Sequence, residues 1–404
     1  MDTYTEKLHT RLYEINILGL NAEDYQQKLL EAAKSFRPFS ESLTAFLTEN
    51  GYDGDPADWA AKTAFVRSRY SLAGMKAPQN IPGWFDGTIR FRRETAFPLC
   101  FAFGLDKEGT DAFFQRVMLE RSFDCHLIRE AVYYYAARNR LSWNEVQRIL
   151  ADCPKVKPGK ADLNTEQFFT GSIIRELEKC QSTKDLLSFL NANADQFLYN
   201  NATATLTIIS LWNKIDGKNG ILDSELKIAG ESVTERSVDV TLRKILFGID
   251  PENRLTLLEG EDRSLKPILK DNDLLPAIAE QEFPDREKIT RILHGDHVSH
   301  ESARKLLILL YFYKFWATKT IKTKKSYYQR KEEDAGEFLI RINDYLLDSG
   351  FQELYIGNPY DWIFLLTGRH DDPLTTFRFF MNELNTRKIE LQSANPIERG
   401  RAVK

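Results

Sequence analysis

The chain has 404 residues, 42% of them hydrophobic, and a formal charge of −4. That length fits two or three domains with packed cores, and the mild acidity excludes binding of nucleic acid through bulk positive charge, so any polyanion must meet local patches. The four cysteines, Cys100, Cys125, Cys153 and Cys180, form no CxxC pair, which argues against a zinc ribbon and a disulfide framework and fits a reducing compartment.

The N-terminal stretch MDTYTEKLHTRLYEI is charged and has no apolar core of a signal peptide. The longest apolar run, Leu306 to Ala317, is too short to span a bilayer and contains Lys314. A cytoplasmic protein without membrane attachment is expected. With 26 Phe and 16 Tyr against 4 Met, its cores should be aromatic.

In chain order, helical periodicity dominates. Glu23 to Phe36 repeats apolar residues at Tyr25, Leu29, Leu30 and Ala33, and Ser40 to Leu47 follows as a short helix. Arg129 to Arg138 and Trp143 to Leu150 are two more, the second opened by a Ser142/Glu145 capping box. Residues 152–160, with two prolines and a glycine, read as a linker. Thr170 to Glu178 and Thr183 to Asn191 come next, with Ser182 as an N-cap. Val238 to Leu242 reads equally as a strand or as the start of a helix. The tail after Leu391 is polar and basic, with Arg399, Arg401 and Lys404. The expected fold is mainly α.

The same order of elements occurs twice. Gly87 and Gly295 each follow a short predicted helix and precede a long apolar one, which pairs Leu99 with Leu307 and Phe101 with Leu309. Farther on, Glu130-Ala-Val-Tyr-Tyr134 pairs with Asp361-Trp-Ile-Phe-Leu365, Arg138 with Arg369, Val146 with Phe377 and Ile149 with Phe380. The second copy carries an insert between Trp316 and Phe338 that holds Lys319, Lys322, Lys324, Lys325, Arg330 and Lys331 beside Tyr327 and Tyr328. A chance alignment of unrelated amphipathic helices is the plain alternative. On the repeat reading the chain divides into an N-terminal module at 1–151, a helical middle segment at 160–255, a C-terminal module at 256–391 and a tail at 392–404.

Residues 275–295 carry the functional reading. Leu275, Ile278 and Ala279 outline a short amphipathic helix, and Glu282-Phe-Pro284 ends it. Asp285 then caps a second helix with Ile289, Ile292 and Leu293 on its inner face, and Gly295 closes it. Ser299 caps a third. Two short helices, a turn, a glycine and a further helix make a helix-turn-helix arrangement. The outer face of the second helix offers Arg286, Glu287, Lys288, Thr290 and Arg291, side chains suited to base edges and phosphates.

This stretch, within about residues 264–310, resembles the helix-turn-helix domain of phage-repressor, or XRE-like, regulators, whose recognition helix ends as Ile292-Leu-His-Gly295 does here. Residues 110–150 and 338–384 are similar to the helical extension of some small bacterial regulators, with Leu354-Tyr-Ile-Gly-Asn-Pro-Tyr-Asp361 at the turn. The resemblance implies double-stranded DNA as partner and a transcriptional regulator or mobile-element control protein, with two modules that mimic the halves of a repressor dimer on half-sites about one helical turn apart. The N-terminal copy departs from the pattern: Pro78, Pro82 and Gly83 stand where its recognition helix belongs.

The cluster His294-Gly-Asp-His297-Val-Ser-His300 admits a metal site, a phosphate contact by His294 and His297, or a solvated turn. Because Gly295 and Ser299 break the helix, no metal site is expected. Arg90, Arg92 and Arg93 suit a phosphate clamp or internal salt bridges equally. The Lys319–Lys331 insert suits phosphates with stacking tyrosines, or a solvated loop. No phosphate-binding, dinucleotide-binding or hydrolase motif is present, so neither an enzyme nor a cofactor is expected. The alternative to DNA binding is a helix-turn-helix scaffold that has turned to a protein partner or a homodimer.

Overall fold

A computed structural model describes residues 22–33, 36–120, 122–125, 127–155, 170–197, 202–230, 236–248, 283–296, 298–323 and 328–382. Every regular element among the described residues is a helix. The chain forms two compact units: Arg37–Ala202, which we call the inserted unit, interrupts a host unit made of Met1–Phe36 and Thr203–Lys404.

The inserted unit begins with α2 (Phe39–Glu49) and α3 (Trp59–Leu72), after which Ile81–Trp84 forms a 3₁₀ turn. α4 (Arg93–Ala102) and α5 (Lys107–Phe113) follow, and α5 runs into a π turn, Phe114–Met118. α6 (Ile128–Arg138) is the centre: every residue from Glu130 to Ala137 is buried, so it is enclosed on all sides. α7 (Trp143–Asp152) carries the expected capping box, and α8 (Thr170–Lys179) and α9 (Thr183–Ala192) pack on α6 and α7 respectively. Ser182 caps α9 through its hydroxyl.

The host unit contains α1 (Ala22–Ala33), whose Tyr25, Leu29 and Ala33 enter its core. The Tyr25 hydroxyl donates to the Leu366 carbonyl, 341 residues away. α10 (Ala202–Asp216), α11 (Ile221–Ile228) and α12 (Val238–Phe247) come next. Val238–Leu242 is therefore helix, started by the Ser237 hydroxyl accepting from the Val240 N–H at 3.2 Å. α13 (Arg286–Leu293), α14 (His300–Thr323), α15 (Glu332–Asp348), α16 (Pro359–Thr367) and α17 (373–382) complete it. α14 is the central helix here: Arg304 to Tyr313 are buried without interruption. The aromatic composition is spent on this core, where Phe312 meets Phe338, Phe364 and Phe377.

The described residues between 160 and 255 do not pack as one middle segment. Ile173, Leu177, Leu186 and Leu190 belong to the inserted unit's core, whereas Ile208, Leu211, Leu242 and Ile245 belong to the host's. The residues inserted between Trp316 and Phe338 extend α14 to 24 residues, so Lys319 and Lys322 stand on a helix.

Candidate nucleic-acid interface

α13 has the local structure that its residues call for. The Asp285 side chain accepts from the Lys288 N–H at 2.9 Å and satisfies one of the free donors of the first turn. Ile289 and Ile292 are buried, and α12 and α14 both pack against α13. At the other end Gly295 takes φ +74°. The Gly295 N–H donates to Ile292 and the Asp296 N–H to Arg291, at 2.9 and 2.8 Å, a Schellman closure. An added Cβ at Gly295 would meet nothing within 4 Å, so glycine is needed there for its left-handed backbone and not for space.

The outward side chains are Arg286, Glu287, Arg291 and His294, all exposed, with Lys288 and Thr290 half-buried beside them. Arg286 meets Asp239 of α12 at 3.2 Å while its side chain stays 67% exposed. A pair that open to water is weak, so a phosphate or a base edge can compete for the guanidinium. Lys288 leans to Asp285 at 3.8 Å. The helix of Leu275, Ile278 and Ala279 that would brace α13 in the motif lies outside the described residues, as does His297.

The histidine cluster is divided. His294 is exposed at the end of α13, and His300 stacks edge-on against Phe351, centroids 4.6 Å apart. Among the described residues no group of three or more metal-ligating side chains converges.

Of the remaining basic positions, Lys319, Arg330, Arg90 and Arg93 are engaged inside their units, while Lys322 and Arg92 are exposed. The Lys319 ammonium donates to Asp334 at 2.6 Å and to Glu337 at 2.8 Å. Tyr328 is buried, so it offers no stacking face, and its hydroxyl donates to the same Asp334; burial and that carboxylate push its pKa up to about 12. Arg330 spans the His370, Lys331 and Glu332 carbonyls. Lys322 is exposed near the end of α14, about 33 Å along the helix from His300 at ~1.5 Å per residue, and so stands at the far end of α14 from the turn that follows α13. Lys324 and Lys325 lie outside the described residues.

In the inserted unit Arg90 donates to the Met118 carbonyl at 2.5 Å and pairs with Glu120. Arg93 is held by Glu130, Glu120 and the Ser122 carbonyl. Arg92, at the N-cap of α4, is exposed. The stretch that the repeat reading aligns with a recognition helix is the 3₁₀ turn, in which Ile81, Gly83 and Trp84 are buried and Pro82 alone is exposed, so the turn presents no polar side chain to a groove.

Two buried charged groups escaped the sequence reading. Arg304 and Asp361 form a fork-to-fork pair at 2.8 and 2.6 Å, with 6% and 0% of their side chains exposed. Arg378 of α17 clamps Glu225 of α11 at 2.5 and 3.0 Å, and the Tyr313 hydroxyl donates to Glu225 at 2.6 Å. The available signal was a charge inside an apolar run, as at Asp361 in Pro359-Tyr-Asp-Trp-Ile-Phe364, because a buried charge requires a partner.

No protein-family model matches the chain, and no curated protein and no solved structure matches it. No helix among the described residues is long and apolar enough to cross a membrane.

Proposed function

We propose that this chain is a double-stranded DNA-binding protein, a transcriptional regulator or mobile-element control protein, that reads the duplex with α13 of the host unit. One observation carries the reading. α13 is a two-turn helix closed at both ends, seated by Ile289 and Ile292 and presenting Arg286, Glu287, Arg291 and His294 outward. Such a helix fits the major groove, where an arginine takes the O6/N7 edge of guanine and a glutamate the N4 amine of cytosine. Lys288 and Thr290, on its flanks, take phosphates.

The buried 3₁₀ turn of the inserted unit supports a single reading head, not two halves of a repressor dimer. The internal engagement of Arg90, Arg93, Lys319 and Arg330 favours a second reading, in which the scaffold serves a protein partner.

The deciding experiment is binding to random-sequence duplex at two salt concentrations, for wild type and Arg286→Ala/Arg291→Ala. Salt-sensitive binding that weakens at least about tenfold in the variant is expected, since each lost bidentate contact removes about 1–3 kcal/mol. Absence of binding even at low salt overturns the proposal and leaves the protein-partner reading.

A further inference from the structure

The buried pair of the host unit has a twin. Arg93, the first residue of α4, donates to both oxygens of Glu130 at 3.1 and 2.6 Å, as Arg304 does to both oxygens of Asp361. Glu130 and Asp361 are each the third residue of their helix, α6 and α16, where the helix N-terminus favours a negative charge. Each also accepts a backbone N–H from six residues upstream, Asp124 at 2.6 Å and Tyr355 at 2.9 Å. Each arginine also donates to a carbonyl eight residues before its carboxylate, Ser122 at 2.6 Å and Glu353 at 3.1 Å.

The agreement continues on both sides without a gap. Eleven residues before the carboxylate the backbone turns left-handed, at Leu119 with φ +55° and at Gly350 with φ +71°. Val146 and Ile149 in α7 are buried, as are their counterparts Phe377 and Phe380 in α17. Hydrophobic periodicity aligns many helices loosely, but it does not dictate which carbonyl an arginine reaches or where a backbone turns left-handed. The arginines also fix the register of the long helices: Arg93 lies six residues after Gly87 and Arg304 nine after Gly295. The pairing of Leu99 is thus with Leu310, three positions beyond Leu307. Three residues are nearly one turn, so apolar spacing does not separate the two registers.

The loop that receives the arginine also holds the segment leading into the long helix. In the inserted unit Arg90 is held by Met118 and Glu120. In the host unit the counterpart of Glu120 is Phe351, and His300 stacks on it. An ion pair in one unit and a ring contact in the other tie down neighbouring positions, since Arg90 aligns with Glu301 in this register and His300 stands one residue before it, at the start of α14.

We infer that the two units are copies of one module, and that the arginine–carboxylate clasp positions the segment leading into its long helix, which in the host unit is the turn from α13 to α14. The consequence for DNA rests on the reading of α13 proposed above; the clasp itself does not. Arg93, Glu130, Arg304 and Asp361 are positioning residues.

Hydrogen–deuterium exchange on the full chain tests this with two paired variants, Arg304→Met/Asp361→Leu and Arg93→Met/Glu130→Leu. Replacing both partners avoids a lone buried charge, and apolar substitutes for such pairs are often neutral for stability. Amides of residues 298–303 are expected to exchange about tenfold faster in the first variant, and those of 88–96 in the second, as local opening becomes easier. Amides of α15 in the first variant and of α7 in the second should keep their wild-type rates. Unchanged protection in the leading segments overturns the positioning role, and a response in one unit alone overturns the equivalence of the two. If a paired variant does not fold, Arg304→Lys and Arg93→Lys, which keep the charge but lose the fork, must give the same division. Duplex binding by the same samples separates the two proposals: a wild type that binds no DNA removes the reading of α13, while the exchange result stands.

Discussion

The two units solve the same local problem differently just before their long helices. In the host unit the chain makes α13, buries Ile289 and Ile292, and turns its polar side outward. In the inserted unit it makes a four-residue 3₁₀ turn and buries Ile81, Gly83 and Trp84. In both, an arginine of the following helix donates to both oxygens of a carboxylate, through Nε and Nη2 at Arg93 and through Nη1 and Nη2 at Arg304. The leading segments thus differ although each following helix carries an arginine–carboxylate pair: α13 turns charged side chains to the surface, and the 3₁₀ turn does not.

The comparison breaks first where burial is greatest. Trp84→Ala empties the space under the 3₁₀ turn and should cost the inserted unit about 3–5 kcal/mol, with the host unit unaffected; unit-resolved hydrogen exchange in urea measures both. Arg304→Met alone leaves Asp361 buried and uncompensated, and should cost the host unit about 3–5 kcal/mol. Equal loss in both units from either substitution would show that they do not behave as separate bodies.

Smaller changes sharpen it. Asp285→Ala removes the N-cap of α13 and should cost about 1 kcal/mol, seen as fraying of residues 286–289, with no counterpart in the inserted unit. Titration should also distinguish the units. His370 lies beside Tyr25, Arg330, Asp371 and Asp372, and burial, the largest influence, holds its pKa below the usual histidine value of 6.5. The Asp372 N–H donates to its Nδ1 at 3.2 Å, which suits the neutral ring. A pKa depressed in the folded state means that the stabilisation is present above 6.5 and is lost as pH falls through the lower folded value. Host-unit stability between pH 7 and 5 should therefore decline, and His370→Asn should flatten that decline; its counterpart Asn139 does not titrate. The least effect on stability is expected from Arg291→Ala, within about 0.5 kcal/mol because the side chain is exposed, so any loss of DNA affinity there reports on the interface alone.

Much of α13 was legible in advance, because capping and closure are local. Asp285, Gly295 and Ser299 act within a few residues of themselves. The fate of the basic residues was not. Lys319 with Asp334, Arg330 with the His370 carbonyl, and Arg93 with Glu130 join groups that sequence spacing does not bring together, and a cation in a charged run looks the same whether water or a carboxylate surrounds it.

By itself, then, the sequence determined the helical class, the caps and closures of individual helices, and the apolar faces they bury. These follow from backbone hydrogen bonding and from 3.6-residue periodicity, which act over a turn or two. Only the tertiary structure decided that residues 37–202 form a unit set within another, that 160–255 is shared between the two, and which cations stay exposed. Those outcomes depend on contacts such as Tyr25 with Leu366, 341 residues apart. The buried charges are settled there as well, since only folding brings each carboxylate the arginine that makes its burial tolerable.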